Sequence, residues 1–305
     1  MQYDPIQDED EVFDEFRWAT IYRKAQQKKI ADAFRLFHAE GIEPVLFKGW
    51  AISRSYPEMV SRISSDIDLA VPSKHFREAE RIRTSSAGRK LVIDLHNEFS
   101  RHDSLDWATL FARCEQLELD GEPVRILSAE DHLRVVCVHW LIDGGQYREK
   151  LWDIYYLVAN RPKTFNWQMC LDEVEPKRRR WIVCAIGLAS KYFGLDLRDT
   201  PIADAAETLP KWLTACVERE WASDSKLEPL DISLRDPRKL ILQIRKRTAP
   251  NPIASTVDVG GSFDASLRIH YQLRSFSKRG LASIRRSMSY NRPQRETDDR
   301  SHISD

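Results

Sequence analysis

Ser65-Asp66-Ile67-Asp68-Leu69-Ala70-Val71, closed by Pro72, alternates polar and apolar side chains along most of its length. A period of two belongs to a β-strand with one buried face, so Ile67, Leu69 and Val71 point to a core while Asp66 and Asp68 share the opposite face. Pro72 has no N–H to continue a ladder and ends the strand. Upstream, Pro44-Val45-Leu46-Phe47 reads as a short buried strand, followed by Lys48-Gly49 and a brief helix ending at Tyr56-Pro57. Before it, residues 12–40 set Phe13, Phe16, Trp18, Ile21, Ile30, Phe34 and Phe37 near helical spacing, with Gly41 as the stop. Downstream, Ser73 opens a helix to about Arg83, and Leu91-Val92-Ile93-Asp94-Leu95-His96 is the next strand. A helix near 104–113 and a hairpin over 117–127, turning at Asp120-Gly121, complete this part.

From Ser128 the chain becomes helical. Ser128-Ala129-Glu130-Asp131 reads as a capping box, and further helices are expected over 147–160, 166–174, 178–193 and 208–223. Val259-Gly260-Gly261-Ser262 lies in a Pro/Gly/Ser-rich stretch read as linker. Beyond it, eight Lys or Arg and no acid fall between 268 and 295, where Leu267, Tyr271, Arg274 and Leu281, Ile284, Met288 allow one or two basic amphipathic helices able to touch an anionic partner or membrane surface, or else a solvated tail. The expected fold class is α+β. A small mixed β-sheet with flanking helices spans 1–127, a helical domain 128–245, and a linker with a basic tail 246–305.

With 47 Lys+Arg against 47 Asp+Glu, the chain is formally neutral, which argues against general coating of nucleic acid or membrane. The first sixteen residues carry seven acids and no base, unlike a signal peptide, and the longest apolar run, 181–189, is half a membrane span. A cytoplasmic location is therefore expected. Cys114, Cys137, Cys170, Cys184 and Cys216 are odd in number and never spaced C-x-x-C, so they read as inert thiols. P-loop, Rossmann, α/β-hydrolase and zincin motifs are absent, and His132 and His139 read as ordinary helix-face histidines.

Two carboxylates on one strand face repel each other, and a hard divalent cation offsets both charges; Mg²⁺ takes carboxylate oxygens at about 2.0 to 2.1 Å. Asp94 stands on the following strand, sharing a face with His96 and Glu98. If the strands pair, Asp66, Asp68 and Asp94 converge on one sheet edge, an arrangement suited to two Mg²⁺ in an in-line phosphoryl or nucleotidyl displacement. Lys48-Gly49 adds a cation, a close-approach backbone and a following helix N-terminus for phosphates, and Arg62 lies four residues before Asp66. The candidate catalytic and metal-ligating residues are Asp66, Asp68 and Asp94; the candidate nucleotide contacts are Lys48, Gly49, Arg62 and Ser65. Glu98, Lys150 and Asp153 are read as lying outside the cleft.

At these residues the chain resembles a known family. Val45-Leu46-Phe47-Lys48-Gly49, Ser55-Tyr56-Pro57, Arg62 and Ser65-Asp66-Ile67-Asp68-Leu69 look like bacterial nucleotidyltransferase-like proteins of the DNA polymerase β type. Those proteins carry an L-K-G … Y-P … R-x-x-x-D-I-D-L signature and occur in natural-product clusters, lasso-peptide ones among them. The resemblance is specific over 42–98 and extends to about 160. It implies a polymerase-β-like sheet, Mg²⁺ and a nucleoside triphosphate, with Asp66 and Asp68 as the metal pair. Asp94 would be the third carboxylate and the base or orienter for the acceptor hydroxyl, while Lys48, Gly49 and Arg62 would serve the triphosphate. Trp50 departs from the Ser or Gly that the wider superfamily places after the loop glycine. The implied reaction moves NMP from an NTP to a hydroxyl of a small metabolite, sugar or peptide and releases pyrophosphate. Phosphotransfer on the same scaffold and a catalytically silent binding protein are the alternatives.

Overall fold

The computed structural model describes residues 9–58, 60, 62–223 and 250–290. Five strands, β1 (Val45–Leu46), β2 (Ile67–Val71), β3 (Ile93–Asn97), β4 (Glu115–Leu119) and β5 (Glu122–Ile126), form one mixed sheet in the order β3-β2-β1-β5-β4. β2 runs antiparallel to β1 and parallel to β3, β1 parallel to β5, and β5 antiparallel to β4. The β4–β5 hairpin turns at Asp120 and Gly121, both at positive φ (50° and 74°), as an Asp-Gly pair in a tight turn requires. The α+β class read from the sequence is the one observed.

Helix α1 (Glu9–His38) covers one sheet face, where Ile30, Phe34 and Phe37 pack with Leu46, Ile67, Leu69, Val71, Val124 and Ile126. Burying each such side chain contributes about 1.5–3 kcal/mol. Against the opposite face, Val45, Phe47 and Ala70 meet Phe99, Leu110, Leu127 and Val135. β2 is therefore buried on both faces, not on one: the helical part of the chain closes over the side that carries Asp68, which is only 5% exposed.

Among the short helices on the sheet, α2 is Gly49–Ser53, α3 Phe76–Thr84 and α4 Trp107–Arg113. Then come α5 (Ala129–Ile142), α6 (Leu151–Ala159), α7 (Trp167–Leu171), α8 (Pro176–Phe193), α9 (Ala203–Glu207) and α10 (Lys211–Trp221), around a core that includes Trp140, Ile154, Trp181 and Ile186. Ser128 caps α5 by accepting from the Asp131 N–H, as the capping pattern implies. Arg134 on α5 is fully buried and donates to Asp103 (2.8 Å), Asp131 (2.5 Å) and the Met169 carbonyl (2.9 Å), so one guanidinium joins the 98–106 loop, α5 and α7.

Part of the stretch expected as linker is folded. Residues Pro252–Asp258 form α11, with Asn251 accepting from the Ile253 and Ala254 N–H groups and Ile253, Val257 and Phe263 buried in the helical core. Asn-Pro, read by composition as a linker, is here an N-cap followed by proline at the first helical position. Gly261 belongs to the same packing, its carbonyl accepting from the Trp181 indole. The basic stretch enters α12 (Ile269–Tyr290), which packs on α11. The expected boundary at 245, the side chains of Leu281, Ile284 and Met288, and residues 291–305 lie outside the described residues. Among the described residues no helix is long and apolar enough to cross a membrane. The five cysteines are unpaired, and burial holds their thiols above the usual range, Cys184 at about 12.

Candidate active site

Parallel pairing of β2 with β3 sets Asp68 directly opposite Asp94. His96, two residues after Asp94, approaches both: its Nε2 is 3.0 Å from Asp94 Oδ2 and 3.4 Å from Asp68 Oδ1. The ligand atoms of Asp68, Asp94 and His96 lie within 4.8 Å of one another. Asp66 stays outside that cluster, before the strand begins, where its Oδ1 accepts from the Ser64 hydroxyl at 3.0 Å. The convergence expected of three aspartates is thus met by two aspartates and a histidine. Glu98 turns away and caps the Ser73 N–H at 2.9 Å.

Lys48 places its Nζ 2.6 Å from Asp68 Oδ1, and only 8% of the residue is exposed. Its backbone is held at φ 57°, ψ −157°, a conformation costing a non-glycine residue on the order of 1–3 kcal/mol. What holds it is His132, whose Nε2 accepts from the Lys48 N–H at 3.1 Å. Burial pushes the His132 imidazole down to about 3, so it stays neutral and able to accept. His132 is therefore no ordinary helix-face residue; it fixes the turn that aims Lys48. At Gly49 (φ 37°) an added Cβ would lie 2.7 Å from Ser64 Oγ, so only glycine lets this turn approach the segment before β2. The helix that follows has five residues, too short to bring much macrodipole, and the attraction for anions rests on Lys48.

Electrostatically the cluster is tightly coupled. The hydrogen bond from His96 holds Asp94 at about 2. Burial alone would lower the His96 pKa, but its bonds to Asp68 and Asp94 outweigh this and leave it raised. Behind it, His102 packs edge-on to His96 at 5.8 Å and tilted against His139 at 5.4 Å. Burial pushes His102 down to about 3, and His139 lower still.

All seven candidate residues line one cavity of about 430 Å³, together with His139, Asp143, Lys150 and Asp153 from the helical side. Ser65 lies exposed at this wall. Arg62 is committed within the chain: Nε and Nη2 donate to Asp153 at 2.7 and 2.8 Å, and Nη1 to the Ile63 carbonyl. Asp153 also accepts from the Tyr56 hydroxyl at 2.6 Å. The positions read as outside the cleft, Lys150 and Asp153, are thus part of its wall. His96 was legible from its strand period with Asp94; Asp143, Lys150 and Asp153 come from helices whose approach no local pattern encodes.

The donor set fits a divalent cation. Two carboxylates facing each other across a strand pair, one of them ionised down to about pH 2, provide hard oxygen ligands, and the imidazole adds a nitrogen donor of the kind Mn²⁺ also accepts. Residues 10–194 match the family model of an uncharacterised nucleotidyltransferase. Comparisons with curated proteins and with solved structures find no match.

Proposed function

The chain belongs to this uncharacterised nucleotidyltransferase family, and we propose that its cleft transfers NMP from an NTP to an acceptor hydroxyl with release of pyrophosphate. The observation that carries the reading is Asp68 in register with Asp94, with Lys48 and His96 on the same pair of carboxylates. Mg²⁺ or Mn²⁺, held by Asp68 and Asp94, would supply the positive charge that binds and polarises the phosphates. Asp66, on the same cavity wall, is the further carboxylate available to a second ion. Lys48 lies where it can move from Asp68 to a phosphate oxygen once the carboxylate is otherwise neutralised, and the Gly49 N–H and the Ser65 hydroxyl line the same wall. Arg62 supports this wall through Asp153 and is assigned a positioning role. Asp94, whose carboxyl the His96 hydrogen bond holds below the usual range, is assigned the role of ligand and orienter of the acceptor hydroxyl.

In the reaction the acceptor oxygen bonds to the α-phosphorus, the bond to the β-phosphate oxygen breaks, and the hydroxyl proton leaves to solvent or buffer. The acceptor is a hydroxyl of a small metabolite, sugar or peptide. Asp68→Asn should lower metal-dependent NTP turnover by about 10²- to 10³-fold, the loss expected when a charge-stabilising group is removed, with the fold intact by circular dichroism. Turnover by this variant near the parent rate would sink the reading. Product mass decides the bond broken, since a nucleotidylated acceptor gains an NMP and a phosphorylated one a phosphate.

A further inference from the structure

A second cavity, of about 630 Å³, opens between the start of α8, the loop of residues 98–105, and the packed pair α11–α12. It shares no lining residue with the Asp68–Asp94 cleft. Its charge is one-sided: five cations and two acids line it. Lys278 and Arg279 are engaged by Asp258, at 3.0 and 3.8 Å. Arg101, Lys177 and Arg178 have no carboxylate partner among the described residues.

Arg178 is the anchor. It is half-buried, donates from Nη1 to the His102 carbonyl at 2.8 Å, and lies over the Trp181 ring at 5.4 Å. Burial draws its pKa down by more than the nearby charges of Asp103 and Glu175 restore. Trp181 and Val257, both buried, form an apolar floor that strengthens electrostatic attraction above it. The local sequence shows the same imbalance. Pro176-Lys177-Arg178-Arg179-Arg180 crowds four cations into the start of an 18-residue helix whose first turn carries no acid, the end where positive charge is disfavoured. Arg179 and Arg180 pair with Asp172 and Asp264, whereas Lys177 and Arg178 form no ion pair among the described residues.

We propose that this cavity binds the phosphate group of a small second ligand, apart from the triphosphate of the cleft. A phosphate carries nearly two negative charges and at least three acceptor oxygens, matching Arg101, Lys177 and Arg178 with Glu175 as the one acid beside them, whereas a carboxylate brings one charge and two oxygens. The Ser100 and Ser104 hydroxyls line the same cavity and can donate as well. A concave site of this volume suits a metabolite-sized ligand better than an extended polymer. The proposal does not depend on the reaction assigned to the cleft.

Calorimetry of the full chain in EDTA, at constant ionic strength, tests it with inorganic phosphate, glycerol 3-phosphate and acetate as titrants. Binding of the phosphate probes and not of acetate is expected. Arg178→Gln should weaken it at least tenfold. Because Arg178 also holds the 98–105 loop, the double variant Arg101→Ala/Lys177→Ala, which removes only exposed side chains, should weaken it similarly; Lys48→Ala in the cleft should leave it unchanged. Tighter binding of inorganic phosphate identifies the free ion as the ligand, and tighter binding of the ester a phosphorylated metabolite. No phosphate binding, binding unaffected by the double variant, equal loss with Lys48→Ala, or affinity for single-stranded RNA without any for the phosphate probes would overturn the proposal.

Discussion

Lys48 concentrates two costs at one position: a backbone conformation unfavourable for a side chain, and an ammonium taken out of water. Both are offset locally, the first by His132 and the second by Asp68. A buried ion pair of this kind contributes little net stability, because desolvation consumes most of the attraction. Its value is to keep Lys48 aimed into the cavity before any substrate arrives. His96 is the residue whose role the geometry redefines. It touches both aspartates, so it is either a ligand or a hydrogen-bond partner of ligands, and metal titration separates the two. His96→Gln should weaken Mn²⁺ binding roughly tenfold or more. An unchanged affinity would leave His96 as a partner of Asp94 alone.

Among the elements, the segment between α2 and β2 depends on α6 for its position. Tyr56 and Arg62 both end on Asp153, and the Asn160 side chain donates to the Ser55 carbonyl at 2.7 Å. The Y-P and R positions of the sequence signature are therefore coupled through a carboxylate about ninety residues away. Asp153→Ala would leave Nε and Nη2 of Arg62 and the Tyr56 hydroxyl without their acceptor in a largely buried place. The expected cost is about 3–5 kcal/mol in urea denaturation, as for a buried pair broken on one side. A loss under about 1 kcal/mol would show that the segment holds itself. Strand period gave β2 and β3 correctly, and with them the face shared by Asp94 and His96. Composition misread residues 252–258, because Asn, Pro and Ser serve helix starts as readily as linkers.

Across the whole molecule, neutral histidines line the junction between the sheet and the helices. His132 and His102 are buried, and burial holds each at about 3 against an ordinary value of 6.5. The unfolded chain takes up these protons below about pH 6.5 while the folded chain refuses them until about pH 3. Stability should therefore be fully present above about pH 6.5 and fall as pH drops toward 3, with a slope of up to about 1.4 kcal/mol per pH unit for each histidine. Urea midpoints at pH 7, 6 and 5 measure the slope. His132→Gln, which keeps a hydrogen-bond acceptor for the Lys48 N–H, should flatten it, and an equal slope in that variant would assign the acid sensitivity elsewhere.

The sequence by itself determined the α+β class, the strands around Asp68 and Asp94, the tight turn at Asp120-Gly121 and the residues of one cavity wall. These follow from side-chain period, turn chemistry and charge pattern, all of which act over a few neighbours along the chain. Only the tertiary structure decided that both faces of β2 are covered, that Lys48 rests on Asp68, that His96 replaces Asp66 beside the paired aspartates, and that Arg62 ends on Asp153. Those outcomes depend on which helix surface meets which sheet edge, and that is set by the packing of side chains far apart in sequence, with buried charges forced to find partners wherever the packing brings them.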